Sequence, residues 1–337
     1  MSAPFSVRRR QPYIDEQTFL NTIAHYRREA EQGEQDLVEN SHLPREQSVI
    51  LGFMAGFLWR EFQLRYTAGD PLPELAELLT KVVVAYEREA ESSDRLPEEE
   101  YIPVFALDDP IDEYVDFIGL ISACVLLHRE DLIPRIHALV AGSAYDEVDF
   151  LIEELLGFYL PDRPAMDEWL WDKPYGLLVE VIVGETVAVK TKAMKKYVSK
   201  WYSSMKGLAH FWGKHEKMKP EYSSYVGYWA FSAAAFTYLY DLDDSAYRDE
   251  VAYPQDFVEY ARSMPRRPVK LENGSELLRV AGGQSCRALE TGSVLRKREV
   301  AASSKKASIC LRSMPLNMAR QFGSGIRVPE RERVEMK

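Results

Sequence analysis

The carboxylates best spaced for chemistry are in Asp241-Leu242-Asp243-Asp244-Ser245, which follows the apolar run Phe236-Thr237-Tyr238-Leu239-Tyr240. An Asp-x-Asp pair behind such a run mimics haloacid-dehalogenase phosphatases, where the first carboxylate attacks phosphorus and the second handles the proton. That chemistry needs a strand leading into the motif and a Rossmann-like domain after it. Here the lead-in is alanine-rich, and little foldable sequence follows. The Asp-x-Asp-Asp proton donor of class II terpene cyclases lies in large paired helical barrels, which this chain lacks. A calcium loop would need a glycine and a distal glutamate, and both are missing. The five residues are therefore expected to form an acidic capped turn between helices. An all-α hydrolase using these carboxylates remains a third alternative for function.

Other catalytic arrangements are weaker. His210 and His215 are five residues apart, a spacing that splays two side chains on a helix. No Cys or carboxylate stands at ligand spacing from them, so no metal is expected. There is no Gly-x-Ser-x-Gly elbow, Walker loop or Gly-x-Gly-x-x-Gly, and Ala141-Gly142-Ser143-Ala144 reads as a loop. No cofactor and no catalytic residue is expected. A second acidic run, Asp108-Asp109-Pro110-Ile111-Asp112-Glu113, precedes an apolar segment beginning at Tyr114. Carboxylates are favourable at a helix N-terminus, and the same patch can imitate DNA phosphates toward a nuclease. Asp108, Asp109, Asp112, Glu113, Asp241, Asp243 and Asp244 are accordingly the candidate partner-binding residues.

Charge narrows the class of partner. The 337 residues carry a net charge of −11. Residues 1–264 hold 46 acidic and 26 basic side chains, a net −20, whereas residues 265–337 hold 7 and 16, a net +9. A body that acidic repels phosphates and is steered toward basic proteins, so no direct nucleic-acid binding is expected. The lysines between Lys190 and Lys219 share a helix with an apolar stripe and read as a solvated face. Cys124, Cys286 and Cys310 are odd in number and far apart, which suits reduced thiols in the cytoplasm. The basic N-terminus has no apolar core of a secretory signal, and the tyrosines and serines of Tyr222–Tyr240 suit a buried helix better than a membrane span.

The elements that must position these residues read as helices throughout. Helices are expected at about Asp15–Gln32 and Arg45–Tyr66. In the helix beginning at Asp70-Pro71, Leu75, Leu78, Leu79, Val82, Val83 and Tyr86 form an apolar stripe of helical period. The last two make an αα-hairpin about a Gly-Asp-Pro turn. Tyr101–Leu107 is the only plausible strand. Further helices are expected at about Ile111–Leu127, Asp131–Ala141, Tyr145–Phe158, Met166–Trp171, Tyr175–Val183 and Glu185–His215. The chain is thus all-α, with a helical-hairpin domain over 12–95, a larger helical domain over 101–264, and a disordered basic tail over 265–337 that lacks apolar periodicity.

The most informative stretch is Tyr225–Arg262. Tyr222–Tyr240 is uncharged and apolar almost all round, as expected of a helix buried on every side. The acidic turn and Ala246-Tyr247-Arg248-Asp249 come next, followed by Tyr253-Pro254-Gln255-Asp256-Phe257-Val258-Glu259-Tyr260-Ala261-Arg262. This order resembles the C-terminal signature of the PoNi immunity proteins. Tyr225, Gly227, Tyr228, Trp229, Ala233, Ala234, Tyr253, Pro254, Asp256, Tyr260 and Arg262 are the signature and core positions. Leu64-Arg65-Tyr66-Thr67-Ala68-Gly69-Asp70 is similar to that family's "YxAG" turn between two helices. The resemblance covers about residues 12–264. It implies a cytoplasmic, non-enzymatic protein that binds and inhibits a PoNe-type DNase toxin, often one delivered by type VI secretion. A helical-repeat scaffold with a non-nuclease partner is the alternative in another class, and a homodimer stays open.

Overall fold

A computed structural model describes residues 4–40 and 42–265, with strand residues at 269–270, 276–277 and 296–297. The chain divides into two units, Met1–Glu299 and Val300–Lys337, and every described residue belongs to the first. The fold is all-α. Its helices are α1 (Phe5–Arg8), α2 (Glu16–Glu39), α3 (Pro44–Thr67), α4 (Leu72–Ser93), α5 (Ile111–Leu126), α6 (Ile133–Ala138), α7 (Phe150–Leu156), α8 (Gly176–Val183), α9 (Val187–Met205), α10 (Phe231–Leu239) and α11 (Gln255–Ser263). Strand structure among the described residues is limited to two two-residue pairings. Glu168–Trp169 lies parallel to Arg296–Lys297, and Val269–Lys270 antiparallel to Glu276–Leu277. The expected disordered tail otherwise lies outside the described residues.

Local chemistry explains the boundaries. Asp15 caps α2 by accepting from the Thr18 amide at 2.9 Å. Glu46 reaches back to the Leu43 amide at 3.1 Å, and Pro44 starts α3 where no backbone donor is needed. Asp149 is buried and caps α7 through the amides of Leu151 and Ile152, each at 3.0 Å. The α3–α4 hairpin forms as the stripe predicts, with Leu75, Leu79, Val82 and Val83 fully buried.

Two apolar clusters hold the chain together, and both join distant sequence. The larger contains Trp59, Phe62 and Tyr66 of α3, Leu79 and Val83 of α4, most of α5, and the apolar residues of α10 with Phe257 and Val258. Helix α10 packs on α5. The smaller cluster brings Phe5, Ile14, Phe19, Ile23 and Tyr26 against Leu64, Ala68, Tyr225, Val226 and Tyr228.

Several expectations are corrected. Tyr222–Tyr240 is not one helix: residues 222–230 are non-helical and only Phe231–Leu239 is α-helical. The segment is nonetheless buried as expected, from Tyr225 to Leu239 with Gly227 alone half-buried. Gly227 takes φ +118°, and a Cβ there would lie 2.4 Å from Thr67 Oγ1 and 2.3 Å from Trp229 Nε1. Backbone groups a helix would pair internally are satisfied from outside instead. The Tyr228 amide donates to Gln11 Oε1 at 3.0 Å, the Ala230 amide to the Ala252 carbonyl at 2.9 Å, and Thr67 Oγ1 donates to the Val226 carbonyl at 2.6 Å.

The other differences are shifts of boundary. Residues 101–107 form no strand, and Met166–Trp171 contains the short strand instead of a helix. Helix α9 ends at Met205, before Gly207 at φ +85°, so Leu208 and Trp212 lie in a loop. Residues 245–251 are turns and a bend, so the helix that follows the acidic turn begins only at Gln255.

Trp229 supplies a direct test of this packing. Its indole donates to Thr67 Oγ1 at 2.8 Å, and its ring meets Tyr66 edge-on at 4.9 Å. Trp229→Ala is expected to cost about 3–5 kcal/mol in urea unfolding. A loss below about 1 kcal/mol, typical of a surface change, would place the ring outside the core.

Candidate functional site

The acidic run at the start of α5 is only partly free. Asp109 is exposed. Asp108 accepts from the Tyr145 hydroxyl at 2.7 Å, which ties it to the loop before α7. Asp112 Oδ1 and Oδ2 accept the His210 amide at 3.0 Å, and Oδ2 also meets His210 Nδ1 at 3.0 Å. Glu113 turns inward and accepts the Ala106 amide at 2.5 Å. Burial, opposed by that hydrogen bond and reinforced by Asp116, Asp112 and Asp108, pushes its pKa up to about 8.

One turn further along α5 is Asp116, which the sequence reading passed over. Its Oδ1 accepts from the Trp59 indole at 2.8 Å and from Gln63 Nε2 at 3.2 Å. Burial raises its pKa to about 6, although the Arg60 charge pulls the other way. Arg60, Gln63, Asp112, Asp116, Phe211 and Trp229 line a cavity of about 50 Å³. The Arg60 guanidinium carbon lies 3.7 Å from the Phe211 ring centroid. The acidic run and the signature segment, more than a hundred positions apart, therefore border one cavity.

The second acidic patch splits into buried and exposed parts. Asp244 is buried, takes Arg262 Nη1 at 3.2 Å and accepts the Tyr253 hydroxyl at 3.2 Å. Arg262 Nη2 also donates to the Leu242 carbonyl at 2.6 Å, so these two residues tie the turn to α11. Asp241 and Asp243 are exposed, and Asp243 accepts from the Ser245 amide at 2.9 Å. That amide and the Ser245 hydroxyl hold the Asp243 carboxyl below the usual range. Beside this corner, Lys190 Nζ donates to the Ile182 carbonyl at 2.6 Å and sits 4.7 Å from the Tyr240 ring centroid. Burial lowers its pKa.

The signature residues meet the "YxAG" turn around an N-terminal strap. Asp256 accepts the Tyr66 hydroxyl at 2.5 Å and pairs with Arg10. Arg10 also donates to the Tyr66 carbonyl at 2.6 Å and lies 4.4 Å over its ring. Arg8 pairs with Asp70 at 2.8 Å and donates to the Ala68 carbonyl at 2.8 Å. Gln11 is fully buried. Its Oε1 accepts from the Tyr225 hydroxyl at 2.5 Å, and its Nε2 donates to the Val251 carbonyl at 2.9 Å. Ala233 and Ala234 are fully buried in α10, Pro254 precedes α11, and Tyr260 packs half-buried on the core. Arg8, Arg10, Gln11 and Thr67 were not singled out from sequence. An arginine triplet beside a polar residue carries no local mark of burial.

Among the described residues no group of three His, Cys, Asp or Glu side chains is placed to hold a metal ion. In the same residues no helix is long and apolar enough to cross a membrane.

Comparison with known proteins bears on this arrangement. No curated protein matches the chain. A solved structure, Protein PA2201 from Pseudomonas aeruginosa, is 21% identical with a TM-score of 0.61, covering 76% of this chain and 91% of that one. That likeness establishes a shared fold. Residues 147–257 match the family described as PoNe immunity proteins (PoNi), C-terminal. The matched stretch contains α7–α10, the buried Tyr225–Leu239 segment, the acidic corner and the start of α11. At residues 147–257 the chain therefore carries the C-terminal domain of the PoNe immunity proteins (PoNi).

Proposed function

We propose that this protein binds a cognate PoNe-like DNase toxin and silences it by docking acidic surface against the toxin's basic DNA-binding groove. It would act in the cytoplasm of a bacterium using type VI secretion or a similar antibacterial system. The family match over residues 147–257 is the observation that carries the proposal. The net −20 of residues 1–264 supports it, because a nuclease must present basic surface to its substrate. No turnover of its own is part of this reading. Acidic side chains would steer the encounter, and a few desolvated anchors would supply most of the affinity.

Asp109, Asp241 and Asp243 are the acidic candidates free to meet a partner, since Asp244 is buried in its pair with Arg262. Reversal of rim charges mainly changes association rate and its salt dependence. Asp109→Lys combined with Asp243→Lys is expected to slow association with the inactivated toxin by roughly tenfold at low salt, and less near 0.15 M. Unchanged rates in stopped-flow mixing would show that neither patch faces the toxin. The function itself is tested by co-purification with the product of the neighbouring toxin gene, followed by a DNA-degradation assay. Failure of the wild type to bind or silence that nuclease would remove the immunity assignment.

A further inference from the structure

We propose that the cavity between α3, α5 and the loop Gly207–Gly213 is the anchor site for an arginine side chain of the partner. This rests on the reading that the partner is a basic nuclease. The cavity holds about 50 Å³, room for a small planar group. Its walls supply the two features a guanidinium seeks, a carboxylate and aromatic faces. Both hydrogen bonds to Asp116 fall on Oδ1, and among the described residues no ion pair or hydrogen bond reaches Oδ2. Phe211, Trp212 and Trp229 line the same space.

Arg60 shows that the aromatic wall accepts such a group, because its guanidinium already stacks on Phe211 at 3.7 Å. Among the described residues Arg60 makes no ion pair within 4.0 Å, so its turning outward is opposed by a longer-range attraction to Asp116 that the incoming guanidinium replaces. An incoming guanidinium replaces it on the Phe211 face and pairs with Asp116. The exchange conserves the cation–π contact and adds a charge-assisted hydrogen bond in a partly desolvated site. Asp112, held by His210, keeps the rim negative. A lysine would gain the charge but not the planar stack, which makes the site selective for arginine.

The first test needs no toxin. N-acetyl-arginine amide is titrated into the full chain while the indole N–H signals of Trp212 and Trp229 are followed by NMR. A saturable shift is expected, with N-acetyl-glutamine amide giving none and Asp116→Asn weakening the arginine response by about tenfold. The amide introduced by Asp116→Asn retains an oxygen to accept from Trp59 and Gln63, so the fold is expected to hold. Phe211→Leu, on a half-buried loop position, is the second variant and should weaken the response as well. No saturable shift, or a response undiminished in both variants, overturns the site.

The second test uses the inactivated nuclease. Asp116→Asn and Phe211→Leu are each expected to weaken its binding by about tenfold, mostly through faster dissociation. If wild type binds the nuclease and both variants match it, the partner does not use the cavity. If the arginine probe binds in an Asp116-dependent way but the nuclease does not bind wild type, the site stands and the immunity reading fails.

Discussion

Arg10→Ala is expected to destabilise the protein by about 2–4 kcal/mol, more than any single surface charge. Arg10 is mostly buried, and its guanidinium joins Asp256 of α11 to the Tyr66 and Asp70 carbonyls of the α3–α4 turn. Among the described residues, its removal leaves Asp256 with the Tyr66 hydroxyl as its remaining side-chain partner. It also strips the cover from a ring packed on Phe257 at 4.1 Å. The value is set below that of a fully buried pair because Asp256 is a third exposed. Arg10→Lys should recover little, since a point charge cannot reach a carboxylate and two carbonyls together. A double-mutant cycle with Asp256→Ala separates the pair from its surroundings, and a coupling of at least about 1 kcal/mol is expected. A loss of less than about 0.5 kcal/mol for Arg10→Ala would mean that the strap rides on the fold without holding it.

Stability should also fall as pH rises from about 5 to 8, opposite to the usual behaviour of carboxylates held by ion pairs. Burial pushes the pKa of Glu89 up to about 8, and repulsion from Glu113 adds to it. Glu113 is raised to about 8 by burial first. Between the ordinary glutamate pKa and these values, the folded protein keeps protons that the unfolded chain has released. Folding is then weakened with each step up in pH, and the benefit is complete only below the unfolded value. The two sites interact, so the pair is assigned on the order of 3–5 kcal/mol across the window.

Below about pH 4 the sign reverses. Asp131 is held low by Arg129, and the burial of Asp146 is outweighed by the Gly142 amide, Arg163 and His137, so both then take up protons and lose those interactions. Urea unfolding at pH 5, 6.5 and 8 measures the slope. Glu89→Gln should flatten it, because a neutral amide at that site no longer titrates. The side chain is pressed against α3, where a Cβ on Gly52 would lie 2.6 Å from its Oε1. A slope that is flat in wild type, or unchanged in Glu89→Gln, would show that the pair is hydrated and ionised.

Helical periodicity, the capping residues and the charge balance were decided locally, and the sequence alone determined them. The stripe from Leu75 to Tyr86 has one face to bury, and a helix is the structure that presents it. The excess of carboxylates set the sign of the long-range field whatever the fold, because net charge does not depend on topology. The first part of the signature, Tyr225–Tyr240, was legible as buried from its lack of charge, and the Asp243-Asp244-Ser245 turn from its capping chemistry.

Tertiary structure decided what local propensity could not. Tyr222–Ala230 has the composition of a helix, yet its backbone is bonded by Gln11, Thr67 and Ala252. Those partners lie at sequence separations that no local pattern encodes, and they outweigh propensities of less than about 1 kcal/mol per residue. The same holds for the acidic residues. Asp243 and Asp244 are adjacent and chemically alike, but one faces water and the other an arginine on α11. Asp116 looked like one polar residue on an apolar helix until folding placed Trp59, Gln63, Arg60 and Phe211 around it. A carboxylate's role is set by the dielectric and the partners around it, and these exist only once distant segments have packed.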